Sequence, residues 1–462
     1  MTTLSFPRLL LTLLAIFVLS GISASATEPV ADATLPNGLH VVTAISHTVP
    51  IVAIDIWLRA GMRRQSLDQP GVAHFLEHLI YKGTNLRPEQ SQVDAAVESL
   101  GGSLNAATSD DWAHYYTVVP SANFAAAMSV MADSLQHPLL SDVGVDGERN
   151  VIAGEIARDE DDPEDAMTEE LHLLAYGNNQ AYGRPVMGHP SDIQAVTHDQ
   201  IKAFYNQFYV PNNATVVVSG DIDPQRAQDA VTDDFGSWKQ SADLPDDKSK
   251  SVPVTGPIRR AVLRRGTSGS YLMMAFAAPS VMDKPDAWGM DVLLTLLGQG
   301  GDNRLDNLLH LKLHLVTSIT ADYLTQKDPG ILTITAQFPT GDPDVVEKAI
   351  LAEISRLRDQ RVSAAELDSA KAQLASSYLF DTQTVSGKAD ALGFYDTIDS
   401  FKYDVDYVAN FMSVTPDDLQ RVALKYLTPD DYSVVTVVPP IDAMNATALG
   451  TGSSTVLVSR AP

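Results

Sequence analysis

Hydrophobic residues follow the same spacing in two parts of the chain, residues 196–218 and 414–438. In each part apolar residues recur at helical intervals after a threonine, Thr197 or Thr415, and the pattern ends at a proline followed by Asn or Asp. A short apolar run follows each proline cluster. Because threonine is a common N-cap and the cluster ends a helix, each part predicts a helix followed by a strand. Equivalent positions are offset by 218 residues without a gap, which indicates two homologous halves.

Other apolar patterns place further elements in the first half. Residues 38–45 and 51–58 predict strands on either side of a turn at residues 48–50, Gly71 opens a predicted helix, and residues 146–162 predict another. Helices and strands occur in groups and not in strict alternation, which favours α+β layers over a doubly wound parallel sheet. We therefore expect two homologous α+β domains, each an antiparallel sheet packed with helices.

Composition places the boundaries between these domains. A polar, proline-broken stretch between the halves is typical of a linker, and the end of the chain is rich in Gly, Ser, Thr and Ala. The predicted divisions are a signal peptide at 1–26, a first domain at 27–240, a linker at 241–257, a second domain at 258–440 and a tail at 441–462.

The N-terminal segment predicts secretion. Arg8 precedes an apolar run, residues 9–19, and the small residues Ala24, Ser25 and Ala26 complete a secretory signal with cleavage expected after Ala26. No later run approaches the roughly 20 apolar residues of a spanning helix, so we expect no stable membrane anchor. The chain has no cysteine, which excludes disulfides and thiolate metal ligands. A bacterial periplasm suits these features best.

The charge balance narrows the class of partner. With 32 basic and 58 acidic residues the formal net charge is -26, which repels phosphate backbones and argues against a nucleic-acid partner. Cationic peptides would instead be attracted, although acidic surfaces also serve solubility.

The run His74-Phe75-Leu76-Glu77-His78 carries the candidate chemistry. On a helix His74 and His78 lie about 40° apart on one face, so both imidazoles can reach one cation. Two histidines and one further carboxylate would leave a fourth position on Zn²⁺ for water, with Glu77 placed to accept the proton of that water. This spacing predicts metal-assisted hydrolysis. His310 and His314 share the same interval, but with only Leu, Lys and Leu between them they predict an ordinary helix surface.

A third ligand must come from another element. Glu148 and Glu155 lie seven residues apart on the predicted helix 146–162, about 20° from eclipsed, so both can face one site. Apolar residues between them favour an inward-facing helix, where a carboxylate needs a partner such as a metal.

The inverted zinc motif, the glutamate about eighty residues downstream and the two-half organisation resemble the pitrilysin, or M16, metallopeptidases. The resemblance covers nearly the whole mature chain and implies a half-shell of two domains with one Zn²⁺ per chain. It implies ligands at His74, His78 and Glu155, Glu77 as general base, and Glu148 as a catalytic carboxylate that does not bind the metal.

The same resemblance implies how a peptide substrate binds. Residues 101–109 look like the family's edge strand beside the metal, which implies substrate contacts at Asn105, Ala106 and Thr108. An exposed edge can pair with an extended peptide through main-chain hydrogen bonds. The residues alone are equally compatible with a plain glycine-started strand.

The second half departs from the family pattern. After Arg304 and Leu305, active single-chain or homodimeric members carry an Arg and, seven residues later, a Tyr that bind the substrate; here His310 and Thr317 occupy those positions. We therefore expect this chain to be the zinc-bearing subunit of a heterodimer, with a homologous subunit supplying Arg and Tyr across a closed chamber.

Two other functions compete with a zinc endopeptidase acting on unfolded peptides. A noncatalytic peptide-binding or scaffold member of the fold would explain the missing Arg and Tyr, but such relatives usually lose the four residues His74, Glu77, His78 and Glu155. Periplasmic zinc storage or delivery would need no Glu77 and is typical of His-rich loops, which are missing from the sequence.

Overall fold

A computed structural model describes residues 30–245, 250–339 and 341–440. The predicted signal peptide and C-terminal tail lie outside the described residues. Within the described part of the chain, no helix is both long and apolar enough to cross a bilayer.

The first half of the chain forms one sheet and its covering helices. Its strands are β1 Val30–Thr34, β2 His40–Ile45, β3 Ile51–Leu58, β4 Asn105–Thr108, β5 Ala113–Pro120 and β6 Ala214–Gly220. Its α-helices are α1 Val72–Ile80, α2 Gln90–Glu98, α3 Phe124–Gln136, α4 Asp142–Asp161, α5 Pro163–Tyr176, α6 Pro190–Ala195, α7 His198–Phe208 and α8 Pro224–Phe235. Short 3₁₀ turns occupy Met62–Arg64, Ser121–Asn123, Ala181–Gly183 and Pro211–Asn213.

The second half repeats this plan with five strands. They are β7 Arg259–Arg264, β8 Ser270–Ala277, β9 Ser318–Tyr323, β10 Ile331–Phe338 and β11 Ser433–Val438. Its α-helices are α9 Lys284–Leu297, α10 Pro343–Asp359, α11 Ala364–Thr382, α12 Val385–Ile398, α13 Lys402–Val405, α14 Tyr407–Met412 and α15 Pro416–Tyr426, and a π-helix spans Asp306–Lys312.

Both sheets are mixed. The strand orders are β1-β2-β6-β3-β5-β4 and β7-β11-β8-β10-β9. One pair in each sheet is parallel, β2 with β6 and β7 with β11, and the remaining pairs are antiparallel. The predicted α+β class is confirmed, and each sheet contains one parallel pair in addition to the expected antiparallel pairs. The later strand of each parallel pair, β6 or β11, follows a long connection that contains helices, and such a connection allows two strands to pair in the parallel direction.

The internal repeat is visible in the elements themselves. α7 spans 198–208 and α15 spans 416–426, so their bounds differ by the same 218 residues as the sequence patterns. Thr197 and Thr415 are the N-caps, and each forms a capping box with the residue three positions later. The strand that follows each helix, β6 or β11, is buried along nearly its whole length.

Each half contributes one helix to the other half's sheet. α5 packs against β7, β8 and β11, where Met167 and Tyr176 are fully buried among apolar residues of the second half. α12 packs against β3 and β6, where Leu392 lies in one cluster with Trp57 and Val217. Each sheet is therefore covered on one face by helices of its own half and on the other face by one helix of the other half.

The connection between the halves lies against both of them. The described residues of the predicted linker contain neither helix nor strand. Its backbone is nevertheless anchored: Ser251 N donates to Asp328 Oδ2 at 2.8 Å, and Val254 N donates to Ala175 O at 2.7 Å. The segment is therefore fixed to the fold at these points, and the domain boundaries drawn through it stay predictions.

Candidate metal centre

The candidate motif lies on α1, whose two faces differ in character. Val72, Phe75, Leu76 and Leu79 are buried in the core of the first half, because apolar residues recur at helical spacing. The opposite face carries the two histidines and the glutamate of the motif. Burial of the apolar face therefore fixes the direction in which the polar face points.

A glycine sets the start of this helix. Gly71, its N-cap, has φ 84°, which side chains rarely adopt. A Cβ there would lie 2.5 Å from Met187 O and 2.6 Å from Ile193 Cδ1. A side chain at this position would therefore be strained and would clash, and glycine avoids both at the start of α1.

The two histidines of α1 converge on one point. Their Nε2 atoms are 3.3 Å apart, and the rings meet edge to face with centroids 4.7 Å apart. Two nitrogens bound to one tetrahedral Zn²⁺ at 2.0–2.1 Å would be about 3.3 Å apart, so the pair fits a shared zinc ion. Burial, together with the neighbouring His78, lowers the pKa of His74 to about 3, which keeps its ring neutral.

Two carboxylates flank this pair of nitrogens. Glu155 Oε2, from α4, lies 3.3 Å from His78 Nε2, the separation expected of two ligands on one tetrahedral zinc. Glu77 Oε2 lies 3.7 Å from His74 Nε2, and the donor atoms of His74, Glu77 and His78 all lie within 4.8 Å of one another. The donor set is imidazole plus carboxylate, which suits zinc.

Glu148 meets the other side of His78. Its Oε2 lies 3.0 Å from Nδ1, the ring nitrogen that faces away from His74, and its Oε1 lies 2.6 Å from Lys82 Nζ. A carboxylate in this position orients an imidazole whose other nitrogen binds a metal. The structure thus brings together all five residues predicted for the metal and its catalysis.

Glu77 lies between the helix and the edge of the sheet. Burial raises its pKa, while His78 and the Thr108 hydroxyl oppose that rise. Thr108 Oγ1 nevertheless forms no regular hydrogen bond among the described residues, so its contact with Glu77 is weak. This places the carboxylate beside β4.

The strand β4 is the edge of its sheet, as predicted. Within the described parts of the chain it pairs with β5 alone, and Ala106 packs against the core that contains α1. Because side chains alternate along a strand, Ala106 and Thr108 face the helix that carries the motif, whereas Asn105 faces the opposite side. Only two of the three predicted substrate contacts therefore direct their side chains toward the candidate metal centre.

A cavity of about 200 Å³ lies beside the C-terminal part of α4. Ile156, next to Glu155, and Asp110, two residues after β4, are part of its wall. Its charged lining consists of Asp110, Asp159, Glu160, Asp165, Glu169 and Arg184. The pKa of Asp165 is raised mainly by burial and further by neighbouring carboxylates. The pKa of Asp110 is raised to about 7, mainly by burial and further by the carboxylate of Asp111. No local sequence pattern marks this cavity, because lining residues such as Asp110 and Glu169 are distant in sequence.

The two second-half positions that depart from the family pattern, His310 and Thr317, make polar contacts with other residues of the second half. His310 Nδ1 lies 2.9 Å from Asp306 Oδ1, and Thr317 Oγ1 donates to Gln337 O at 3.0 Å. Arg304 pairs with Glu353 and Glu366 at 3.2 and 2.9 Å. His310 and His314 are not part of a metal-binding group among the described residues, and His314 has φ 51° beyond the end of the π-helix.

A second His-carboxylate group lies on the other face of the first sheet. Asp55 Oδ2 on β3 is 3.1 Å from His114 Nε2 on β5, and Asp390 Oδ1 on α12 is 3.8 Å from His114 Nδ1. Trp57 stacks on the His114 ring with centroids 3.8 Å apart. No local sequence signal marks this group, because its members come from three separate elements.

Comparison with known families finds two matching models. Residues 40–189 match the model described as insulinase, peptidase family M16, and residues 195–374 match the one described as the peptidase M16 inactive domain. The zinc protease PqqE of Helicobacter pylori is 27% identical over 412 residues, which cover 88% of this chain and 92% of that protein. An uncharacterised zinc protease of Streptomyces coelicolor is 29% identical over 395 residues, covering 84% and 85%.

Solved structures share the whole fold. The crystal structure of a protease from Helicobacter pylori has a TM-score of 0.84 at 25% identity, covering 89% of this chain and all of that one. The crystal structure of a peptidase M16 inactive domain from Pseudomonas fluorescens has a TM-score of 0.80 at 21% identity, and the match covers 89% of this chain and 98% of that one.

Proposed function

Because the chain belongs to peptidase family M16, we propose that it is an endopeptidase that uses one zinc ion to hydrolyse unfolded peptides. His74, His78 and Glu155 would hold the ion, and Glu77 would act as general base. The observation that carries this proposal is the spacing of 3.3 Å from His78 Nε2 both to His74 Nε2 and to Glu155 Oε2.

The chemistry follows from the positions of the side chains. A zinc ion bound there would supply a Lewis acid that polarises the peptide carbonyl and acidifies water. Glu77, half-buried beside His74, would accept the proton of the attacking water and then protonate the leaving amine. Glu148 holds the His78 ring from its far nitrogen.

The edge strand β4 supplies the surface for the substrate. An extended peptide can add to its open edge through main-chain hydrogen bonds, which gives affinity with loose sequence preference. Ala106 and Thr108 would lie under the side of that peptide nearer the metal. An unfolded chain presents an extended segment most readily, so unfolded peptides are the substrate class that we propose.

The acidic cavity at the C-terminal part of α4 supports a preference for basic side chains. Five of its six charged lining residues are carboxylates, and it lies between the end of β4 and the end of α4. A Lys or Arg side chain from a peptide paired with β4 would enter it near the metal. The charge of the cavity would favour such a substrate over a neutral or acidic one.

A homologous subunit would complete the site. His310 and Thr317 have neither the charged guanidinium of Arg nor the phenol of Tyr. Arg304 already forms ion pairs with two glutamates. We propose that the partner supplies both groups across a closed chamber, and that the pair acts in the bacterial periplasm, to which the N-terminal segment would direct this chain. Full peptidase activity of the purified chain alone would refute the need for a partner.

One pair of measurements tests the enzymatic proposal. Zinc content and cleavage of a quenched fluorescent peptide are measured, with the homologous subunit present, for the natural chain, Glu77→Gln, and a control variant, Glu98→Gln on α2. We expect zinc in all three proteins and cleavage by all but Glu77→Gln. A natural complex that binds zinc yet cleaves no peptide would instead support a noncatalytic peptide-binding function.

A further inference from the structure

A lysine outside the predicted site is joined to it through Glu148. Lys82 Nζ lies 2.6 Å from Glu148 Oε1, while Glu148 Oε2 lies 3.0 Å from His78 Nδ1. The carboxylate therefore bridges an ammonium group and the ring of a proposed metal ligand. Among the described residues, Lys82 is the one Lys or Arg within ion-pair distance of Glu148.

The burial of Glu148 makes this pairing necessary. Its side chain is 8% exposed, and a buried carboxylate without a partner is costly. Hydrogen bonding to His78 uses one of its oxygens, and Lys82 compensates the other. Removing one partner of a buried pair leaves the remaining charge uncompensated, so the carboxylate would move or be neutralised.

The backbone holds Lys82 where it can make this contact. Lys82 lies four residues after His78, about one helical turn, so its side chain points to the same side as the motif. Its backbone N–H donates to Leu79 O at 3.1 Å. The next residue, Gly83, has φ 145°, and a Cβ there would lie 2.5 Å from Pro88 O. This tight turn fixes the direction from which Lys82 approaches α4.

Lys82 distinguishes two otherwise similar carboxylates of α4. Glu148 and Glu155 lie seven residues apart on α4 and face the same side, yet the first meets Nδ1 of His78 and the second meets Nε2. Among the described residues, only the first has a Lys or Arg within ion-pair distance. The two turns of α4 between the carboxylates place them on different sides of the ring, and Lys82 pairs with the one that meets Nδ1.

We propose that Lys82 is a positioning residue: through its ion pair it fixes Glu148 on Nδ1 of His78, and thereby the ring orientation with which Nε2 faces the metal. This rests on the proposed function in so far as zinc is the ion bound. Loss of a carboxylate that orients a metal-binding histidine costs about 10- to 100-fold in metal affinity, and we expect loss of Lys82 to cost an amount in the same range.

The test compares Lys82→Met, Glu148→Gln and the double variant by zinc affinity, measured in competition with a chelator. If Lys82 acts through Glu148, the double variant binds zinc about as weakly as Glu148→Gln alone, and Lys82→Arg retains most of the affinity. Gln90→Ala is the matched control, because Lys82 Nζ also donates to Gln90 Oε1 at 3.0 Å. Unchanged affinity in Lys82→Met, or additive losses in the double variant, would overturn the proposal.

A second measurement needs no zinc. Nitrogen NMR of the metal-free protein reports which ring nitrogen of His78 carries the proton. We expect Nδ1–H in the natural chain and in Gln90→Ala, and a mixture of tautomers in Lys82→Met. If the natural chain binds no zinc but this difference is seen, the proposed enzyme function fails while the positioning role stands; an unchanged tautomer in Lys82→Met would overturn the role itself.

Discussion

Glu148 and Glu155 contact opposite nitrogens of the same imidazole: Glu148 Oε2 lies 3.0 Å from His78 Nδ1, and Glu155 Oε2 lies 3.3 Å from His78 Nε2. Two turns of one helix thus present two carboxylates to one ring, one on the side shared with His74 and one on the side away from it. This division separates a proposed metal ligand from a residue that orients a ligand.

Glu155→Gln should weaken zinc binding by more than about 100-fold, because loss of a charged direct ligand should exceed the loss seen for an orienting residue. Chelator competition measures the affinity. Glu170→Gln on the neighbouring helix α5 serves as a control and should bind zinc as the natural chain does. If Glu155→Gln keeps its affinity, the third ligand is another group, and Glu77 would be the next candidate.

Replacing both Asp165 and Glu169 by their amides should reduce cleavage of peptides with a basic residue near the scissile bond. We expect kcat/KM for a basic peptide to fall about 5- to 30-fold relative to its neutral analogue, equivalent to 1–2 kcal/mol. Asp146→Asn, on the same helix as Asp159 but about 20 Å away, is the matched control. Equal losses for basic and neutral peptides would show that the cavity does not select charge.

Gly71→Ala should destabilise the fold by about 1–3 kcal/mol, because it forces a side chain into a left-handed conformation against Met187 O. Urea unfolding of the zinc-free protein measures the loss. Gly147→Ala is the control: its Cβ would meet nothing within 4 Å inside α4, so alanine should stabilise by about 0.5–1 kcal/mol. A Gly71→Ala variant as stable as the natural chain would show that α1 can begin differently.

His40 should make stability fall as pH rises. Its hydrogen bond to Asp396 Oδ2, 2.8 Å from Nδ1, raises its pKa although burial opposes this; Asp32 adds to the rise, and Arg59 also contacts Asp396. A raised folded-state pKa means that protonation stabilises the fold, so this contribution is complete below about pH 6.5 and is lost above it. The urea midpoint of the natural chain, relative to that of His40→Gln, should stay constant below about pH 6.5 and drop as the pH rises above that value. A constant difference would exclude His40 as the cause.

Local sequence determined the elements that carry the chemistry. Helical periodicity placed His74, Glu77 and His78 on one face of α1, and it also placed Glu148 and Glu155 on one face of α4. Threonine caps and proline clusters set the bounds of α7 and α15, from which the repeat could be recognised. These features depend on interactions within a few residues, so the order of side chains is enough to predict them.

Only the tertiary structure decided which groups meet across the fold. β2 and β3 are adjacent in sequence and were expected around one turn, yet β6 lies between them, because strand pairing is set by burial over the whole sheet. The same applies to Glu148. Its seven-residue spacing from Glu155 put both carboxylates on one face of α4, but the way α4 packs against α1 decided which nitrogen of His78 each carboxylate meets. The acidic cavity and the exchange of α5 and α12 likewise arise from contacts between distant segments, which no local pattern records.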